Sequence, residues 1–441
     1  MFALSIEKKR ELRVFLRMLA NAIGAIGLVT VLASCGDYPG YNYTVGGTVS
    51  GMVGSGMVLQ NNGGDDLSIS ANSSFSFATQ LTDGAAYSVT VKTQPTNPSQ
   101  TCTVSNGSAT VNGARVDSVV VNCVTGPTSV AVDPSGKFAY ATNTNGTISA
   151  YTINQTTGAL TAGTAVAAGT YPTSVVTVLV GLLEFAYAID TIGGTIYAYT
   201  IDQTTGALTA GTPVATGTYP TSITVDPSGK FAYVSNMGAN TISAYQINSD
   251  GTLTDLGTAA TGNFPTSVVT VLVGSLEFAY ATNSFDGTIS VYQINSDGTL
   301  ATETAVTAGT YPTSVTVDPS GKFAYATNES SNNISVYQIN SDGTLTAGTA
   351  VATGTYPTSV VTVLVGSLEF AYATNSGDGT ISVYTIDQTS GALTVGTAVA
   401  AGTYPSSITV DPFGRFAYVA NMGGGNILVY KINPDGTLTP Q

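Results

Sequence analysis

The stretch Pro312-Thr-Ser-Val-Thr-Val-Asp-Pro-Ser-Gly-Lys-Phe-Ala-Tyr-Ala-Thr-Asn328 decides the fold, because the chain contains it seven times with small changes. The copies open at Pro127, Pro172, Pro220, Pro265, Pro312, Pro357 and Pro405, with spacings of 45, 48, 45, 47, 45 and 48 residues. A fixed period of this size marks a repeat architecture, and four short strands per period mark a propeller blade. Within the first copy, Ser129–Val132 is expected as strand A, Phe138–Thr142 as B and Ile148–Ile153 as C, with D near Leu160–Ala167. Asp133-Pro134-Ser135-Gly136 has the chemistry of a type I turn. Asn145-Gly146 predicts a tight primed hairpin. On strand C, Ile148 and Ala150 face one way and Tyr151 and Ile153 the other, as a sheet needs when a neighbour lies on each side.

The repeats alternate. Odd copies carry Asp-Pro-Ser-Gly-Lys or a close variant. Even copies replace it with Val178–Glu184, Val271–Glu277 and Val363–Glu369. Those apolar hairpins either protrude as a docking patch or lengthen strands A and B. The residue before Phe-Ala-Tyr alternates in charge: Lys137, Glu184, Lys230, Glu277, Lys322, Glu369 and Arg415. It predicts a ring on one face, with Arg415 beside Lys137 where the last copy meets the first. The last copy stops soon after Leu438, so blade seven is either incomplete or borrows a strand from ahead of Pro127.

Residues 44–125 do not follow the repeat. Short alternating segments separated by Gly-rich turns predict a small all-β sandwich. The chain therefore reads as all-β, a seven-bladed β-propeller at 126–441 preceded by a β-sandwich. Residues 1–34 combine Lys8, Lys9, Arg10, Arg13 and Arg17 with an apolar run ending in Leu32-Ala33-Ser34-Cys35, the order of a bacterial secretory leader. Residues 35–43 then form an anchor and tether. Of three cysteines, Cys102 and Cys123 remain as a disulfide pair, the expected state after export.

The chain has 12 basic and 26 acidic residues and a formal charge of −14. Loss of the leader brings this to about −17, which repels nucleic acid and leaves no polybasic patch to hold a membrane surface. There is no histidine, so the commonest general base and metal ligand is missing. Ser-His-Asp and Cys-His catalysis are excluded, and no cofactor or metal is expected. The recurring Asp133, Asp226, Asp318 and Asp411 read as turn residues.

Two sets of side chains recur where a ligand could bind. Before the blades stand Tyr171, Tyr219, Phe264, Tyr311, Tyr356 and Tyr404, and the B–C loops begin at Asn143, Asn236, Asn283, Asn328, Asn375 and Asn421. Aromatic faces beside amides suit a glycan or peptide. The same aromatics could instead seal blade against blade.

Several motifs carry a family likeness. Tyr140-Ala-Thr-Asn143, Tyr280-Ala-Thr-Asn283, Tyr325-Ala-Thr-Asn328 and Tyr372-Ala-Thr-Asn375 resemble the YVTN-type propeller repeat, and the repeat as a whole resembles the seven-bladed lactonase-like proteins. Leu32 to Cys35 resembles the lipobox, which implies lipidation of Cys35 and an outer-membrane envelope location. Gly46–Asp66 is similar to Ig-like modules of bacterial surface lipoproteins. The lactonase likeness implies hydrolysis of a sugar lactone, sometimes phosphorylated. Against it stands the lack of a basic or histidine cluster at the hub. The residues favour a non-enzymatic envelope scaffold or binding module, with a lactonase-like hydrolase as the alternative.

Overall fold

The computed structural model describes residues 42–52, 55–95, 101–124 and 126–441. The expected leader, Cys35 and the tether up to residue 41 lie outside these.

The N-terminal part forms two four-stranded sheets around one core. One sheet has the order Ser74–Ser76, Val45–Ser50, Val116–Val124, Thr101–Ser105. The other has Asp65–Ile69, Met57–Asn61, Ala86–Thr93, Ser108–Thr110. Alternation along the strands turns Val45, Val49 and Val121 from the first sheet towards Met57, Leu59 and Val89 from the second. Cys102 and Cys123 sit opposite each other on antiparallel strands and are joined as a disulfide.

The repeats form seven separate sheets, each in the order A, B, C, D from the hub outwards. In blade one these are Pro127–Val132, Phe138–Asn143, Thr147–Ile153 and an outer strand in two pieces, Leu160–Ala162 and Val166–Ala167. The single strand D expected near Leu160–Ala167 is thus divided. The Gly163 amide donates to the Ala150 carbonyl across the interruption, and both pieces pair with strand C. The expected two-residue Asn145-Gly146 turn is also longer. Asn143 pairs with Thr147, leaving three residues, with Gly146 left-handed at φ 80°.

Strands B and C are buried on both faces. Ile148 and Ala150 enter the core shared with blade two, and Tyr151 and Ile153 the core shared with blade seven. Among the described residues blade seven borrows no strand: its own are Pro405–Val410, Phe416–Asn421, Asn426–Ile432 and a short Leu438–Pro440. Strand Val116–Val124, which precedes Pro127, pairs inside the N-terminal part instead. Strand A of blade one packs on strand A of blade seven, so the ring is complete.

Hydroxyls knit the hub. The Oγ1 of Thr128, Thr221, Thr266, Thr313 and Thr358 donates to the first proline carbonyl of the next blade at 2.7–3.0 Å. In blade two Thr191 does this, donating to Pro220, with Thr173 against it. Ser406 completes the circle on Pro127 at 3.2 Å.

In the even blades the hairpins lengthen strands A and B and also leave apolar side chains exposed. Strands Pro172–Val180 and Leu183–Asp190 are longer than their odd counterparts, with Val178 buried. Leu179, Leu182 and Leu183 nonetheless stay exposed, as do Leu272, Leu276, Leu364 and Leu368.

Candidate functional site

Two loops meet at one face of each blade. The segment leading into strand A ends in Gly-Thr-Tyr-Pro or Gly-Asn-Phe-Pro, and its aromatic carbonyl accepts the first amide of the B–C loop. The pairs are Thr191 to Tyr171, Met237 to Tyr219, Ser284 to Phe264, Glu329 to Tyr311, Ser376 to Tyr356 and Met422 to Tyr404, all at 2.8–3.0 Å. Gly126 takes the aromatic position in blade one, where Thr144 donates to its carbonyl.

Five of these aromatics adopt left-handed backbone: Tyr219, Phe264, Tyr311, Tyr356 and Tyr404, with φ between 51° and 59°. That region is disfavoured for a bulky residue, and costs of order 1–3 kcal/mol at each site. Local polar groups offset part of it. The Phe264 amide donates to Asn240 Oδ1 at 2.9 Å and the Tyr356 amide to Asn332 Oδ1 at 2.8 Å. The twist brings the rings out to solvent, where all five are 44–55% exposed. Phe264 stacks at a tilt on the exposed Phe285, centroids 5.9 Å apart. Tyr219 and Tyr356 lie against Gly238 and Gly377 of the B–C loops, where an added Cβ would come within 3 Å of the ring. These aromatics therefore do not seal blades together.

Tyr171 differs. It is half-buried, its hydroxyl lies 3.8 Å from Met422 Sδ of blade seven, and burial pushes its pKa up. The contact skips a blade, so Tyr171 leans across the hub mouth.

The six asparagines lie beneath this surface. Asn143, Asn236, Asn283, Asn328, Asn375 and Asn421 are buried. In five of them the amide group bonds the start of strand C, as in Asn283 Nδ2 to Thr288 Oγ1 at 3.0 Å and Ser290 Oγ at 2.9 Å, whereas Asn421 Nδ2 donates to the Val419 carbonyl at 3.5 Å. The sequence reading set them in the B–C loops; the structure places each as the last residue of strand B, paired with the first residue of strand C. Spacing did not show that their side chains turn inward. The Oδ1 atoms of Asn283, Asn375 and Asn421 and the Thr144 hydroxyl are buried without a partner among the described residues.

Glu329 escaped the sequence reading. It occupies the first B–C position, which holds Thr144, Thr191, Met237, Ser284, Ser376 and Met422 in the other blades. Its carboxyl is half-buried, and desolvation raises its pKa above the ordinary 4.5. A glutamate at a position otherwise free of charge was the available signal.

The opposite face uses its charged groups for the fold. Asp318, buried, accepts the amides of Lys322 and Phe323 at 2.8 and 2.6 Å, that of Ser320 at 3.1 Å, and the Ser320 hydroxyl. Asp133, Asp226 and Asp411 hold the same turn. The alternating ring lies on this side, but Glu184 and Glu369 are buried rather than exposed. Arg415 pairs with Asp411 at 2.7 Å and reaches Gln155 of blade one at 3.1 Å, which places it beside the first blade's turn. Among the described residues no group of three or more potential ligand side chains is positioned for a metal ion.

The comparisons with known proteins agree with this architecture. A family profile described as lactonase, 7-bladed beta-propeller, matches residues 177–307, 271–362 and 362–441. The chain belongs to this lactonase family. No curated protein matches the sequence. Among solved structures, the lactonase-family chain is similar to a 6-phosphogluconolactonase candidate from Bacteroides uniformis, with 22% identity and TM-score 0.59 over 67% of this chain and 90% of that one. A second candidate of the same description, from Bacteroides fragilis, has 21% identity and TM-score 0.55, covering 68% and 90%. The periplasmic gluconolactonase of Pseudomonas aeruginosa has 18% identity and TM-score 0.55, covering 64% and 86%. Likeness at these identities establishes the fold.

Proposed function

We propose that this lactonase-family propeller binds an uncharged sugar lactone on the face formed by the exposed aromatics, and opens it by hydrolysis. The observation that carries the reading is the set of five solvent-facing aromatic rings held at positive φ around one end of the hub. A sugar ring offers apolar C–H faces to such rings, and strain retained at several equivalent positions is a mark of a functional surface. Family membership and the gluconolactonase neighbours support the substrate class.

The lack of charge is read from the cations. The five basic residues of the propeller are Lys137, Lys230, Lys322, Arg415 and Lys431. Four stand at the A–B turns, and Lys431 pairs with Phe416 at that same end of its sheet. A phosphorylated lactone wants an arginine or lysine clamp, which the aromatic face does not offer. Glu329 is the group for proton transfer. As carboxylate it takes a proton from the water that attacks the lactone carbonyl carbon. It returns that proton to the ring oxygen as the C–O bond breaks, leaving an aldonic acid.

The test is hydrolysis of glucono-δ-lactone by the purified protein in a pH-stat. Turnover above the buffer blank is expected, with Glu329→Gln lowering kcat by about 100-fold and Tyr311→Ala raising KM. Turnover equal to the blank overturns the hydrolase. Saturable sugar binding without turnover supports the second reading, a non-enzymatic envelope binding module, favoured by a hub whose A strands are built of Ser, Thr, Val, Ala, Ile and Leu around their opening prolines, with no ionisable residue among them.

We also place the protein at the bacterial cell envelope, anchored through a lipidated Cys35. Cys35→Ser should move it from the membrane to the soluble fraction, and retention in the membrane would refute the anchor.

A further inference from the structure

The junctions where an odd blade meets the next even one share a sequence pattern, and the first junction departs from it. There, on the A–B face, a cleft of about 270 Å³ lies between the turn of blade one and the long hairpin of blade two. Ser135 and Lys137 line it from blade one, and Leu179, Leu182, Glu184 and Gln203 from blade two. It stands at the opposite end of the sheets from the exposed aromatics.

Three side chains in the cleft differ from their repeat equivalents. Between blades three and four, and between five and six, the glutamate carboxyl hydrogen-bonds the turn aspartate of the preceding blade, Glu277 with Asp226 and Glu369 with Asp318. Glu184 is only 5% exposed, yet its carboxyl makes no hydrogen bond to Asp133 or to any other described residue. Lys137 is the second. Its amide donates to Ser135 Oγ at 3.3 Å, whereas the amides of Lys230 and Lys322 donate to Asp226 and Asp318 at 2.8 Å. Its ammonium is exposed and forms no ion pair among the described residues. The third is Leu182, 89% exposed at a hairpin tip that carries Ser275 and Ser367 in the other even blades. Gln203 Nε2 donates to the Leu182 carbonyl at 2.9 Å, which braces that tip.

We propose that this cleft binds a free α-amino acid with an apolar side chain, its ammonium group against Glu184, its carboxylate against Lys137 and its side chain against Leu179 and Leu182. A cation and a carboxyl that share one cleft without pairing fit a ligand carrying both charges, since a simple anion or cation would satisfy only one of them. A buried carboxyl without a partner is costly, and a ligand ammonium supplies the partner. Desolvation first, and then the Asp133 charge, raise the pKa of Glu184 against the pull of Lys137, and a cation seated there restores the carboxylate. The neighbouring acids do not compete. Asp133 is taken up by Ser135 and the Phe138 amide, and Asp202 by the amides of Thr204 and Thr205. Pockets for drug-sized ligands run to about 300–1,000 Å³, so the smaller cleft suits a single amino acid.

The test is calorimetric titration of the full protein with L-leucine, with N-acetyl-L-leucine, which lacks the ammonium charge, and with L-leucinamide, which lacks the carboxylate. Saturable binding of leucine is expected, and each blocked derivative should bind about tenfold more weakly or worse, the loss of one charge-assisted contact. Lys137→Met should weaken leucine to the level of leucinamide and abolish the difference between the two. Leu182→Ser copies the residue of the other even blades at an exposed position. It should leave Tm unchanged and weaken leucine about fivefold through lost apolar contact, which keeps the proposal testable without touching the buried Glu184. Absence of saturable leucine binding overturns the proposal. So does equal binding of leucine and its two blocked derivatives, or leucine binding that Lys137→Met and Leu182→Ser leave unchanged.

Discussion

The two faces of the propeller carry equally regular side chains and treat them in opposite ways. At the A–B turns the repeated Asp133, Asp226, Asp318 and Asp411 are buried and consumed by backbone amides. At the other end the repeated Tyr219, Phe264, Tyr311, Tyr356 and Tyr404 are forced into an unfavourable backbone region and left facing water. Recurrence is therefore not a sign of either folding or binding until burial is known. At one face the repeated carboxylates are taken up by backbone amides, and at the other the repeated aromatics carry left-handed backbone beside solvent.

Substitutions can break that contrast. The largest effect is expected at Asp318. Asp318→Ala removes a buried acceptor of three amides and a hydroxyl, and charge-assisted hydrogen bonds contribute about 1.5–3 kcal/mol, so the urea midpoint should fall by the equivalent of about 3 kcal/mol. An unchanged midpoint would mean the turn stands without its carboxylate. Next is Tyr325→Phe, which leaves the Gly391 carbonyl of the following blade without its 2.9 Å donor and should cost about 1 kcal/mol.

Tyr356→Gly should change stability in the other direction. Relief of about 1–3 kcal/mol of strain outweighs the roughly 0.5–1 kcal/mol entropy cost of glycine. The variant should be about 1 kcal/mol more stable while binding sugar lactone less well. A loss of stability would show the ring to be a packing element after all.

The smallest effect concerns pH. Desolvation first, and then the neighbouring Asp318 charge, raise the pKa of Glu369 above 4.5 against the opposing pull of Lys322. Its contribution to stability is complete below pH 4.5 and is lost as pH rises through the elevated value. Glu369→Gln should thus raise Tm modestly at pH 7, and the gain should vanish below pH 4.5. A pH-independent difference would assign the effect to packing instead.

Much of the fold was legible because the period was. Strand order, the turn role of Asp133 and its repeats, two-sided burial of Ile148 and Tyr151, and the cysteine pairing follow from alternation, turn chemistry and compartment. The site was legible only in position. A tyrosine before proline is steered towards extended backbone by local sterics, and the left-handed twist at Tyr311 runs against that preference, so no local pattern reports it. The inward turn of Asn283 depends on Thr288 and Ser290 across a hairpin. Glu329 stood out from its repeat equivalents, but its half-buried setting arises only when the loops assemble.

The hydroxyl belt at the hub has a consequence for how the polypeptide could be threaded. Ser406 on Pro127 repeats the link that Thr128 makes with Pro172, so the inner circle has no chemical beginning. Blade order is cyclic there, and the backbone cut between the last blade and the first is one choice among seven. A circular permutant opened ahead of Pro265, with its former ends bridged, would assemble the same heptagon around the same oxygen-to-oxygen contacts.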